Sequence, residues 1–124
     1  MSTKIRLKRV YDPAEDGDGY RVLVDRIWPR GLAKAKAGID QWMKEIAPTT
    51  ELRKWFGHDP ARWNEFRDRY TAELEDKPDL LDELRARARR GPVTLLYAAH
   101  DPDHNNAVVL AERLGRFGKA GDSD

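Results

Sequence analysis

Two short apolar runs, Val22-Leu23-Val24 and Val93-Thr94-Leu95-Leu96-Tyr97-Ala98, constrain the fold of this chain more than any other feature. Both are continuous β-favouring stretches rather than alternating ones, the pattern of strands covered on both faces. The long segment between them carries helical periodicity. Helices between two buried strands imply parallel pairing through a right-handed crossover. The expected fold is therefore α/β: a single compact domain over residues 1–117, with a small, mainly parallel sheet of three or four strands and helices packed on it. The small polar segment Gly118 to Asp124 is expected to be a disordered tail.

The remaining elements follow from punctuation and spacing. Lys4 to Lys8 alternates basic and apolar residues, which predicts a half-buried edge strand with Lys4, Arg6 and Lys8 on its outer face. Asp12 to Gly19 is dense in turn formers. Its spaced acids resemble a calcium loop only superficially, because the twelfth position from Asp12 is Leu23 rather than a bidentate Glu. Ile39, Trp42, Met43 and Ile46 have helical spacing and predict one short helix within Leu32 to Ile46. Pro48-Thr49-Thr50-Glu51 opens a helix ending near Gly57, since a hydroxyl cap and an acid in the first turn both satisfy free N–H groups.

Asp59-Pro60 opens a longer helix in which Trp63, Phe66, Tyr70 and Leu74 share a face, most simply a core face. A further helix, Asp79 to Arg90, is built on Leu80, Leu81, Leu84 and Ala88 and ended by Gly91-Pro92. In the last helix, Asn105 or Asn106 serves as the cap, Ala107, Leu110, Ala111 and Leu114 share a face, and the end falls near Gly115 or Gly118.

Composition narrows the function classes. The chain has 23 Lys and Arg against 22 Asp and Glu, a net charge of +1, so no global charge argues for nucleic acid or membrane. The absence of cysteine removes disulfides, thiolate metal sites and a cysteine nucleophile. No run of about 18 apolar residues and no signal-like apolar segment is present. A soluble cytoplasmic protein is the default expectation, of unassigned oligomeric state.

Both strands run into polar clusters. Tyr20 to Gly31 ends in Asp25, Arg26, Trp28, Pro29, Arg30 and Gly31, and the second strand ends in Tyr97, His100, Asp101, His104, Asn105 and Asn106. In open α/β sheets ligands bind beyond the carboxyl ends of the strands, which brings the two clusters to one pocket. The free N–H groups of the last helix with Arg26 and Arg30 would make an anion or phosphate cradle. The candidate ligand-binding residues are accordingly Arg26, Trp28, Arg30, Tyr97, Asp101, Asn105 and Asn106. Asp25, His100 and His104 are the candidates for proton transfer.

Structural roles compete at each position. Asp25-Arg26 also reads as a strand-end ion pair, Trp28 as a packed lid, and His58 as part of a helix start. No Gly-rich phosphate loop, nucleophile elbow or His-Glu-x-x-His motif is present. The leading expectation is a protein, possibly an enzyme, that binds an anionic small molecule without a metal or cofactor. One alternative is a non-catalytic interaction or nucleic-acid-binding module using the basic first strand and Arg85, Arg87, Arg89 and Arg90. Another is a metal-dependent hydrolase using Asp25, His100 and His104.

The segments Lys8-Arg9-Val10-Tyr11-Asp12, Asp18 to Arg26 with Trp28-Pro29-Arg30-Gly31, Glu51-Leu52-Arg53-Lys54 and Thr94-Leu95-Leu96-Tyr97 carry a resemblance nearly end to end. On these residues the chain resembles the YeaO-like family, within the bacterial domain of unknown function 488. The resemblance implies a small bacterial α/β protein with no established activity. It also implies that longer relatives carry cysteine at the end of the last strand and a Cys-His-Arg run opening the last helix. The matching positions here are Tyr97 and Asn105-Asn106-Ala107. Thiol or His-Arg chemistry would therefore not transfer to this chain.

Overall fold

The computed structural model describes residues 5–122. Four strands, β1 (Ile5–Arg9), β2 (Tyr20–Leu23), β3 (Gln41–Trp42) and β4 (Val93–Tyr97), form one parallel sheet in the order β1-β4-β2-β3. Leu95 lies at the centre, with Leu7 of β1 on one side and Val22 of β2 on the other. The two apolar runs are thus the central pair. All five residues of β4 are buried, in keeping with strands that see water on neither face.

One face of the sheet carries the helices α2 (Thr50–Phe56), α3 (Trp63–Glu75), α4 (Pro78–Arg90) and α5 (Asn106–Asp122), and the single turn α1 (Lys34–Ala37) lies in the connection between β2 and β3. Val22, Val24, Val93, Leu95 and Tyr97 meet Phe66, Tyr70, Leu74, Leu81, Leu84 and Leu110 there, in the main core. The aromatic stripe of α3 is core, as its spacing predicts: Phe66, Tyr70 and Leu74 are buried, and the Tyr70 hydroxyl donates to Ile46 O at 2.7 Å. The α2 start is as expected, with Thr49 Oγ1 accepting from Leu52 N–H at 3.2 Å. The α5 helix continues past Gly115 and Gly118, and Ser123 and Asp124 of the expected tail lie outside the described residues.

The opposite face has a smaller cluster, Val10, Leu23 and Leu96, covered by Trp28, Leu32, Ile39 and Trp42. Here the structure corrects the reading of Leu32 to Ile46. The α-helical part is the single turn Lys34–Ala37, which Gly38 ends in the left-handed region; Gln41–Trp42 becomes the edge strand β3, and Lys44–Ile46 is one 3-10 turn. Backbone pairing with β2 decides this. Asp40 N–H donates to Arg21 O and Met43 N–H to Leu23 O, at 2.8 and 2.9 Å, and the Asp40 carboxylate takes the Arg21 N–H at 2.8 Å. The spacing that mimicked a helix instead divides residues between the two clusters: Ile39 and Trp42 go to one, Met43 and Ile46 to the other.

The outer face of β1 is also corrected. Lys8 turns onto a buried carboxylate, Asp18, with Nζ 3.0 Å from both oxygens, and also reaches Glu15 at 2.9 Å. Arg21 pairs with the same Asp18. Immediately after this clamp, Gly19 is required: its φ is 66°, and a Cβ there would lie 2.2 Å from Pro92 O. The turn is thereby pinned against the start of β4, and Tyr20 N–H donates to Pro92 O at 3.0 Å.

Candidate ligand pocket at the strand ends

A pocket of about 740 Å³ opens beyond the carboxyl ends of β2 and β4. Asp25, Arg26, Trp28, Arg30, His100, Asp101, Asn105 and Asn106 all line it, so the two polar clusters do converge. Tyr97 and His104 do not line it. Tyr97 is 4% exposed and belongs to the helix-side core, the face dictated by its alternation with Leu95. His104 Nδ1 lies 2.8 Å from Asp101 Oδ2, and its ring stands edge-on to Trp63.

Most of the predicted groups are already spoken for. Arg26 donates through Nε to Pro48 O at 3.0 Å and through Nη2 to Ala47 O at 3.2 Å, tying the β2 end to the segment before α2. Trp28 donates to Leu32 O at 2.8 Å and packs edge-on against Trp42, a lid rather than an open platform. Asn105 holds Asp101 O through Nδ2 and caps Val108 N–H through Oδ1, at 2.8 and 3.1 Å. Asn106 Nδ2 donates to Val24 O at 2.8 Å and also reaches the Asp25 carboxylate. Asp101 is a loop staple: its Oδ1 accepts the Asp103 and His104 N–H groups at 2.9 and 3.2 Å. The Asp103 N–H first, then the His104 side chain, holds its carboxyl below the usual range.

Asp25 differs. Its Oδ2 accepts the Ala98 N–H at 2.9 Å, which locks the end of β2 to the end of β4. Burial pushes its carboxyl above the ordinary aspartate range. That effect exceeds the opposing pull of the Ala98 N–H, Asn106, and the positive potential of Arg53 and His58.

Arg53 and His58 are pocket residues that the sequence reading missed, as are Tyr11, Phe56 and Phe66. Arg53 lies on the exposed side of α2, and His58 follows the left-handed Gly57 that ends it. Only the α2 packing angle brings them to the β2 end, and no local pattern encodes that angle. Among the described residues, neither Arg53 nor Arg30 spends its guanidinium on a hydrogen bond or ion pair, and both are exposed. Tyr11 fixes the Arg30 backbone by donating to Arg30 O at 2.8 Å. The walls between these charges are apolar, formed by Ile27, Pro29, Pro48, Phe56, Phe66 and Ala98.

The alternatives fare less well. With His104 turned away, Asp25, His100 and His104 do not form one ligand set, and no group of three His, Cys, Asp or Glu suited to a metal occurs among the described residues. Several of the basic residues expected to face a polyanion are engaged: Lys8 with Asp18, Arg9 with Ala98 O and Ala99 O, Arg85 with Asp82, and Arg87 over the Tyr20 ring at 4.0 Å. No helix among the described residues is long and apolar enough to cross a membrane.

Fold and pocket together define a small parallel α/β domain with a strand-end cavity. The chain belongs to the domain of unknown function 488, YeaO-like: the family model described as the inactive DUF488-N3 subclade matches residues 4–123. It is 49% identical to the uncharacterized protein YeaO of Escherichia coli K12 over 110 residues, 89% of this chain and 96% of that one. It is 44% identical to the uncharacterized protein Rv3073c of Mycobacterium tuberculosis H37Rv over 112 residues, 90% of this chain and 94% of that one. The uncharacterized protein Mb3100c of Mycobacterium bovis matches to the same extent. No solved structure matches the chain.

Proposed function

We propose that this protein binds a small organic anion in the strand-end pocket, and that it does so as a binding protein rather than as an enzyme. The unspent guanidinium groups of Arg53 and Arg30, at the mouth of an apolar-walled cavity of about 740 Å³, carry this reading. Such a volume falls in the range of small-molecule sites and far exceeds that of an inorganic ion. The ligand therefore has an apolar body for the Ile27, Pro29 and Pro48 walls and an anionic group for the arginines. The non-catalytic part rests on how the other polar groups are used. Asn105 and Asn106 are spent on capping and strand ties, Tyr97 lies in the core, and the matching family is described as an inactive subclade.

Benzenesulfonate is a suitable probe, being an aromatic body with a permanent anion. Titration followed by amide chemical shifts is expected to give saturable changes at Arg53, Ala98 and Asn106. Arg53→Ala should weaken binding about ten-fold, or about 1.4 kcal/mol. Shifts that do not saturate, or that scatter over the basic surface, would contradict the reading.

A further inference from the structure

His58 has φ 59°, the one positive φ outside glycine among the described residues. It follows Gly57, itself left-handed at φ 53°. A turn needs one such residue to end a helix, and Gly57 fills that role by donating its N–H to Arg53 O at 3.1 Å. A second, on a residue with a Cβ, is not needed for the cap and is disfavoured sterically. Two consecutive left-handed residues fold the chain back on itself, so that His58 lines the pocket beside Phe56, with ring centroids 6.1 Å apart. Strained backbone at a pocket wall is a known mark of function.

Fold stability does not account for the side chain. The imidazole is exposed and makes no hydrogen bond among the described residues, while its neighbour Asp59 caps Ala61 N–H at 3.0 Å without it. What the ring does touch is the electrostatics of the pocket. Together with Arg53, it acts on the desolvated Asp25 carboxyl.

We infer that His58 is a recognition residue of the pocket, held in the left-handed region so that its imidazole completes, with Arg53, the wall that receives the ligand's anionic group. This deepens the anion-binding reading and rests on it. An imidazole changes charge between about pH 5 and 8, so the pocket should hold an anion more tightly on the acid side of that range. The charged groups facing His58 are Asp25, Arg26 and Arg30 from the β2 end, Arg53 from α2, and His100 and Asp101 from the β4–α5 loop, with Asp59 beside it in sequence. His100 lines the same pocket, so the assignment depends on changing His58 alone.

The test compares wild type, His58→Gly and His58→Asn in benzenesulfonate titrations near pH 5.5 and pH 8, with thermal melts of each protein. Asn tolerates the left-handed region and serves as the backbone control. His58→Gly should melt about 2 to 5 °C higher, since glycine adopts this conformation freely. Both variants should bind at least about five-fold more weakly at the lower pH and lose the wild-type gain in affinity on acidification. Variants that bind like wild type, with the same pH profile, would overturn the role of His58 and leave the pocket reading standing. Wild type that shows no saturable binding at either pH would overturn both. A His58→Gly protein that melts no higher would overturn the strain on which the inference rests.

Discussion

The two ends of β2 each place an aspartate at a polar cluster, and the two carboxyls have opposite fates. Asp18, at the amino end, is 2% exposed and receives the Glu15 N–H, both-oxygen contact from Lys8, and the Arg21 guanidinium. Burial alone would raise its pKa, but those donors outweigh burial and hold it below the ordinary value. Asp25, at the carboxyl end, has the Ala98 N–H and Asn106, and there burial wins. One carboxylate is consumed in holding β1, β2 and the preceding turn together. The other closes the sheet with one oxygen and still faces a cavity. The contrast distinguishes charge used for folding from charge left available at a site.

The largest expected effect is at the amino end. Asp18→Asn leaves the buried Arg21 without its carboxylate and Lys8 with only the exposed Glu15, and should destabilise the protein by about 3 to 5 kcal/mol in urea unfolding at neutral pH. Because the folded pKa is depressed, this contribution is present above the unfolded value of about 3.9 and is lost as pH falls through the folded value. A loss below about 1 kcal/mol would break the comparison, since it would make Asp18 no more structural than an exposed ion pair.

At the carboxyl end the sign reverses, and the effect should be smaller. The Asp25 pKa is raised on folding, so its favourable contribution is complete below the unfolded value and lost as pH rises through the folded one. Wild type should therefore lose stability relative to Asp25→Asn as pH is raised above the ordinary aspartate range. The urea midpoints of the two proteins, followed from acid to neutral pH, report this directly. A gap that stays constant, or that moves in favour of wild type, would show that Asp25 is as well satisfied as Asp18.

The same division explains what could be read from the sequence. The β2 and β4 runs, the caps at Thr49 and Asp59 and the core stripe of α3 are local signals, and the structure has them in place. The convergence of Asp25 and Asn106 follows from one rule about parallel sheets. Edge strand β3 was illegible because two residues of pairing override a longer helical period. Arg53 and His58 were illegible as site residues because α2 reaches the β2 end through tertiary packing, at a charged position and a turn that look like solvent. Lys8 was misplaced because its partner, Asp18, sat in a loop whose acids looked interchangeable.

Asp25 lines the pocket proposed to bind an anion whereas Asp18 does not, and one carbon-detected NMR titration of the side-chain carboxyls addresses both in a single sample. Asp25 should titrate above the ordinary aspartate value and Asp18 below it, and added benzenesulfonate should move the Asp25 resonance while leaving that of Asp18 in place. Equal titrations, a reversed order, or an Asp25 signal unmoved by saturating benzenesulfonate would contradict the account.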